Sequence, residues 1–115
     1  MITFDAVRER ALSFPEVTEE PHFEKTSFRV RKKIFATYTA EKHLLTVKLS
    51  EVDQHVFSAP DRSIIYPVDN KWGLLGWTCI DLNRVHPDLL NDALTTAYCK
   101  VAPKKLAAIV RPDAP

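Results

Sequence analysis

Apolar residues at Phe4, Val7, Ala11 and Phe14 recur at spacings of three and four, which predicts a helix over Thr3 to Phe14. Thr3 can cap its first turn, Asp5 suits the positive end of the helix dipole, and Pro15 ends it. From Phe28 the period changes to two. Phe28 to Val30 and Phe35 to Thr39 alternate and are β-branched or aromatic, the signature of a hairpin. With Lys32-Lys33 as a two-residue turn, Arg31 pairs with Ile34; Phe28 and Val30 then share a face with Phe35 and Thr37, and Arg29 and Arg31 share the other with Ala36 and Tyr38. That turn asks both lysines for positive φ, at about 1–2 kcal/mol each. A longer loop around Arg31-Lys32-Lys33 serves equally and changes the register.

Leu44 to Leu49 reads as a third strand, with Leu45, Val47 and Leu49 on one face and Thr46 and Lys48 on the other. Ser50-Glu51-Val52-Asp53 has the form of a capping box, launching a short helix with Val52 and Val56 inward that Pro60 ends. Asp61 to Gly76 is the least regular stretch, with a short strand at Ile64-Ile65-Tyr66, and Trp77 to Leu82 alternates again. Pro87 opens a helix striped by Leu90, Leu94, Ala97, Tyr98 and Val101; Pro103 interrupts it before a last short helix over Lys104 to Val110. The order of elements predicts an α+β fold, an antiparallel sheet with helices packed on one face and the other face open to water. One domain over residues 1–110 is expected, followed by a frayed tail at 111–115.

Composition narrows the function classes. The chain of 115 residues is 45% hydrophobic and 27% charged, which suits a globular domain rather than a disordered one. No apolar run reaches the roughly 20 residues of a membrane span, and Met-Ile-Thr-Phe-Asp lacks the start of a signal peptide, so a cytoplasmic location is expected. Two glycines, Gly73 and Gly76, cannot build a P-loop or a dinucleotide fingerprint. Cys79 and Cys99 form no Cys-x-x-Cys pair and are expected to be reduced, and the four histidines show no metal-ligand spacing. Ser27, Ser50 and Cys99 carry no nucleophile signature. The expectation is a non-enzymatic protein with no metal and no cofactor.

Charge cancels overall, with 16 Lys+Arg against 15 Asp+Glu, but not locally. Four glutamates lie between Glu16 and Glu24, and five bases with no acid lie between Lys25 and Lys33. Arg29, Arg31, Lys32 and Lys33 concentrate at one hairpin, and Lys48 can extend that surface; guanidinium groups bind phosphate bidentately. The bland alternative is a solvated sheet face whose lysines prevent edge pairing. Lys71 and Trp72, in the polar segment Asp69-Asn70-Lys71-Trp72-Gly73, offer a cation and a stacking plane; more often such a Trp folds back over the core, and Trp77, which begins a strand, is expected to be core. A different class of function, small-ligand or protein binding, would use a pocket near His22, Trp72, Trp77 and Tyr98.

The run Leu12-Ser13-Phe14-Pro15-Glu16-Val17, followed by Glu19-Glu20, Phe28-Arg29-Val30 and Lys33-Ile34-Phe35-Ala36, resembles the start of the MmcQ/YjbR family. Val47-Lys48-Leu49, Gly76-Trp77 and Thr96-Ala97-Tyr98 continue the match in order, covering about residues 3 to 108. The resemblance implies a frataxin-like (CyaY-like) arrangement with a "double wing" of two hairpins beside a helix, a shape associated with DNA binding, and it brings no catalytic residues. Lys32 stands where many members have Gly before the hairpin Lys. The dense acidic first helix of frataxin is missing, which disfavours iron delivery. The combined expectation is a DNA-binding or DNA-associated protein, binding weakly and salt-dependently through Arg29, Arg31, Lys32, Lys33, Lys48, Lys71 and Trp72.

Overall fold

A computed structural model describes residues 1–112; the end of the expected tail, residues 113–115, lies outside them. Six strands form one antiparallel sheet in the order β1-β2-β3-β4-β6-β5. They are β1 (Val17–His22), β2 (Lys25–Val30), β3 (Lys33–Thr39), β4 (Leu44–Lys48), β5 (Ile65–Pro67) and β6 (Trp77–Asp81). The helices are α1 (Phe4–Leu12), α2 (Glu51–Ser58), the single turn α3 (Lys71–Leu74), α4 (Pro87–Val101) and α5 (Lys104–Val110). The architecture is the α+β one expected.

The predicted caps form. The Thr3 hydroxyl accepts from Ala6 N–H at 3.1 Å, and the Ser50 hydroxyl accepts from Asp53 N–H at 3.1 Å. Tyr98 of α4, fully buried, stacks on Phe14 at 4.8 Å and meets Phe35 of β3 edge-on at 5.5 Å. Phe4 of α1 stacks on Tyr38 at 4.3 Å. These contacts place α1 and α4 on one sheet face, over Phe28, Val30, Leu45, Val47 and Ile80.

Four local expectations need correction. The two-residue turn is Arg31-Lys32, one position earlier than Lys32-Lys33, with φ of 51° and 70° closing the pair Val30↔Lys33. A bulge then sets Phe35 and Ala36 together opposite Phe28. This sends Tyr38 to the helix side, where Phe4 covers it and its hydroxyl meets His43 Nδ1 at 2.8 Å; Thr37 takes the open side instead. Burying a tyrosine with a satisfied hydroxyl removes more apolar area from water than burying a threonine. Second, the stretch from Val17 to His22, read only as a charge switch, is an edge strand; Pro21 fits there because an edge tolerates a missing donor. Third, α2 is rotated: Val52 and Val56 are 71% and 58% exposed, while Gln54 and Ser58 face inward. Gln54 sets this, because its Nε2 donates to Gly73 O (3.0 Å), Trp77 O (3.2 Å) and Thr78 Oγ1 (3.1 Å). Fourth, Trp77 is only half-buried and lies on the open face.

Both glycines serve the α3 turn. A Cβ on Gly73 would lie 1.9 Å from Val68 O, and one on Gly76, whose φ is 103°, would lie 1.9 Å from Leu49 O. Backbone therefore meets backbone at these two points, and only glycine fits.

Candidate functional site

Residues paired across antiparallel strands share a face, so the register specifies the open side of the sheet. It carries Thr18, Arg29 and Ile34 in one row, and Glu20, Ser27, Thr37, Thr46, Cys79 and Tyr66 in the next. Lys48 pairs with Trp77, and His22 with Lys25. A cleft of about 310 Å³ opens on this face. Its floor is Ile34, Thr37 and Thr46; His22 and Lys25 bound it on the β1–β2 side, and Asn70, Trp72 and Trp77 bound it on the α3 side.

The α3 wall is held from behind. The Asn70 side chain accepts from Trp72 N–H at 2.8 Å, and Gln54 grips the turn from the helix side through Gly73 O. Trp72, 51% exposed, projects from a turn that is already fixed. Fixing it in advance lowers the ordering cost of any contact it makes.

Cations surround the cleft. Lys25 lines it, Arg29 stands across from its floor residue Ile34, Lys48 Nζ lies 5.7 Å from the centre of the Trp77 ring, and Lys71 Nζ lies 5.6 Å from that of Trp72. Lys48 also donates to Leu75 O, and Arg29 Nε donates to Ser27 Oγ at 3.0 Å. Among the described residues none of these four cations is in a salt bridge, and no carboxylate lines the cleft. On the open face, Asp81 is tied to Arg84 at 2.9 Å. The Arg84 hydrogen bond holds the Asp81 carboxyl below its ordinary range, so it stays charged but already partnered.

The sequence candidates separate accordingly. Arg29, Lys48, Lys71 and Trp72 gather around the cleft, whereas Lys32 and Lys33 are exposed at the β2–β3 tip. Arg31 leaves the group: its guanidinium grips Glu16 through Nε–Oε1 (2.6 Å) and Nη2–Oε2 (3.2 Å). That hydrogen bond lowers the Glu16 pKa and raises that of Arg31. The expected ribbon of Arg29, Arg31 and Tyr38 on one face is therefore not assembled. Of the alternative pocket, His22, Trp72 and Trp77 do line one cleft, while Tyr98 is on the far side of the sheet with its hydroxyl donating to Pro15 O at 2.7 Å. Lys25 and the threonine floor were missed. The Lys25-Ser27-Arg29 alternation was their only signal, and it reads as a site only once the register is known.

Other chemistry finds less support. Burial pushes the Cys79 and Cys99 thiols up, so neither has the lowered pKa that marks a reactive cysteine. Among the described residues no group of three or more His, Cys, Asp or Glu is placed to hold a metal ion, and no helix is long and apolar enough to cross a membrane.

The fold and site define a small α+β domain with one helix-covered sheet face and one open, cleft-bearing face. The chain belongs to the YjbR family, whose family model matches residues 12–100. Among solved structures it is similar to the crystal structure of Deinococcus radiodurans protein DR2400, described with the family domain DUF419. The TM-score is 0.77 and the identity 21%, covering 88% of this chain and 79% of that one, a likeness of fold. No curated protein matches.

Proposed function

We propose that this protein is a non-enzymatic DNA-binding domain that receives its ligand on the open face of the sheet, between the β1–β2 hairpin and the α3 turn. One observation carries the reading: Lys25, Arg29, Lys48 and Lys71, none of them in a salt bridge among the described residues, lie in or beside a cleft that holds two tryptophans and, among the described residues, no carboxylate. Cations bind phosphate, and indoles offer planes on which bases stack. Lys32 and Lys33 add charge at the neighbouring tip, while Arg31 is given to Glu16 and is removed from the contact set.

With a net charge of +1, binding is weak and depends on this one face. A footprint of roughly four to six phosphates gives a log–log salt slope of about −4 to −5. Titration of labelled DNA at low salt, for wild type and for Arg29→Ala/Lys48→Ala, tests this. The double variant should bind more weakly, with a slope shallower by about 2. Equal affinity and slope would remove the surface from the account, and no binding by wild type would remove the function.

A second reading is favoured by the lining of the cleft, where His22 and Lys25 face Trp72 and Trp77: a small anionic aromatic ligand, whose binding would be insensitive to Lys32 and Lys33 at the tip.

A further inference from the structure

Resting on the DNA-binding reading, we infer that the cleft takes unpaired DNA: a base from a single strand enters against Trp72 and Trp77, and the flanking phosphates lie on Lys25, Arg29, Lys48 and Lys71. Size is the first argument. A cleft of about 310 Å³ stands at the small end of binding pockets, room for one nucleotide and not for a helix whose bases are already stacked on one another. The floor is the second. Ile34, Thr37 and Thr46 are short side chains flanked by walls, a recess that admits a flat group from above. Reading a duplex groove needs the opposite, a protruding helix or ribbon.

The placement of charge is the third argument. Each tryptophan has a lysine ammonium within 5.7 Å of its ring centre, so a stacked base has a cation close by for its phosphate. Arg31, which occupies the tip where a duplex-reading ribbon would make contact, is held by Glu16. Stacking on an aromatic face tolerates any base sequence, so little sequence preference is expected.

The test uses the full chain and four labelled or competing probes: oligodeoxythymidylate of about ten nucleotides, within the usual span of single-strand sites, a duplex of equal length, oligouridylate of equal length, and thymidine monophosphate. Anisotropy and quenching of tryptophan fluorescence are read together at low salt. The single strand should bind at least about tenfold more tightly than the duplex and quench the tryptophans. Trp72→Ala should weaken single-strand binding about tenfold or more, and Trp72→Phe should restore most of it. Trp72 is half-exposed, so both variants keep the core, and an unchanged melting temperature verifies this. If the duplex binds as tightly as the single strand and Trp72→Ala changes neither, the inference falls while the DNA-binding reading stands. A mononucleotide competing as well as the oligomer, or oligouridylate binding more tightly than oligodeoxythymidylate, would also overturn it. If no probe binds, both fall.

Discussion

Arg31 shows how one ion pair redistributes a surface. In the sequence it is one of five bases in nine residues; in the structure it is bidentate with Glu16, and both residues sit at positive φ (51° and 60°). Two consequences are measurable. Glu16, Asp61 and Asp81 are all held below the ordinary carboxylate range, chiefly by hydrogen bonds from Arg31, Ser63 and Arg84 respectively. On acidification the unfolded chain therefore takes up protons first. Their stabilisation is complete above pH about 4–5 and is lost as pH falls through and below that range. Urea midpoints should drop between pH 7 and pH 3, and Arg31→Ala should make that drop shallower by freeing Glu16; an unchanged profile would show that the pair does not form in solution. The second consequence concerns the turn. Lys32 at φ 70° carries the strain of a left-handed backbone, so Lys32→Gly should raise stability by about 1 kcal/mol, seen as a higher melting temperature. A lower one would contradict the Arg31-Lys32 turn.

At the scale of elements, α3 is the piece on which the cleft depends. It has four residues and cannot be stable alone; Asn70 caps it, Gln54 grips it, and two glycines let it lie against the backbone at Val68 and Leu49. Gly73→Ala should cost about 1–3 kcal/mol by overpacking and should weaken DNA binding with it. Gln54→Ala leaves Thr78 Oγ1 and two carbonyls without this donor and should cost about 1–3 kcal/mol. Denaturant unfolding of either variant at wild-type stability would show that the turn is not held this way.

Periodicity located the elements but not always their faces. The helical stripes of α1 and α4 and the alternation of β4 were legible because burial there is one-sided and uninterrupted. β1 was not, because an edge strand carrying Thr18, Glu19 and Glu20 toward solvent has no apolar rhythm. The outer face of β3 was misassigned because a bulge adds one residue, and one residue inverts every side chain beyond it. In α2, Gln54 outweighed two valines, a preference that only its three acceptors on distant segments explain.

For the whole molecule, a helix layer buries one sheet face and leaves the other open, with a cleft on it. Arg29, Lys48, Lys71 and Trp72 were recognisable singly as chemistry-bearing residues. Their convergence was not, since the cleft draws on β1, β2, β3, β4, β6 and the α3 turn, and only the register brings these together. The central claim is that this open face is where DNA sits. Chemical-shift mapping of the labelled protein, titrated with DNA at low salt, tests it most directly. The account predicts perturbations at Lys25, Ser27, Arg29, Thr37, Thr46 and the Trp72 and Trp77 indoles, with α1 and α4 unmoved. Perturbations centred on α1 or α4, or a spectrum that DNA leaves unchanged, would contradict it.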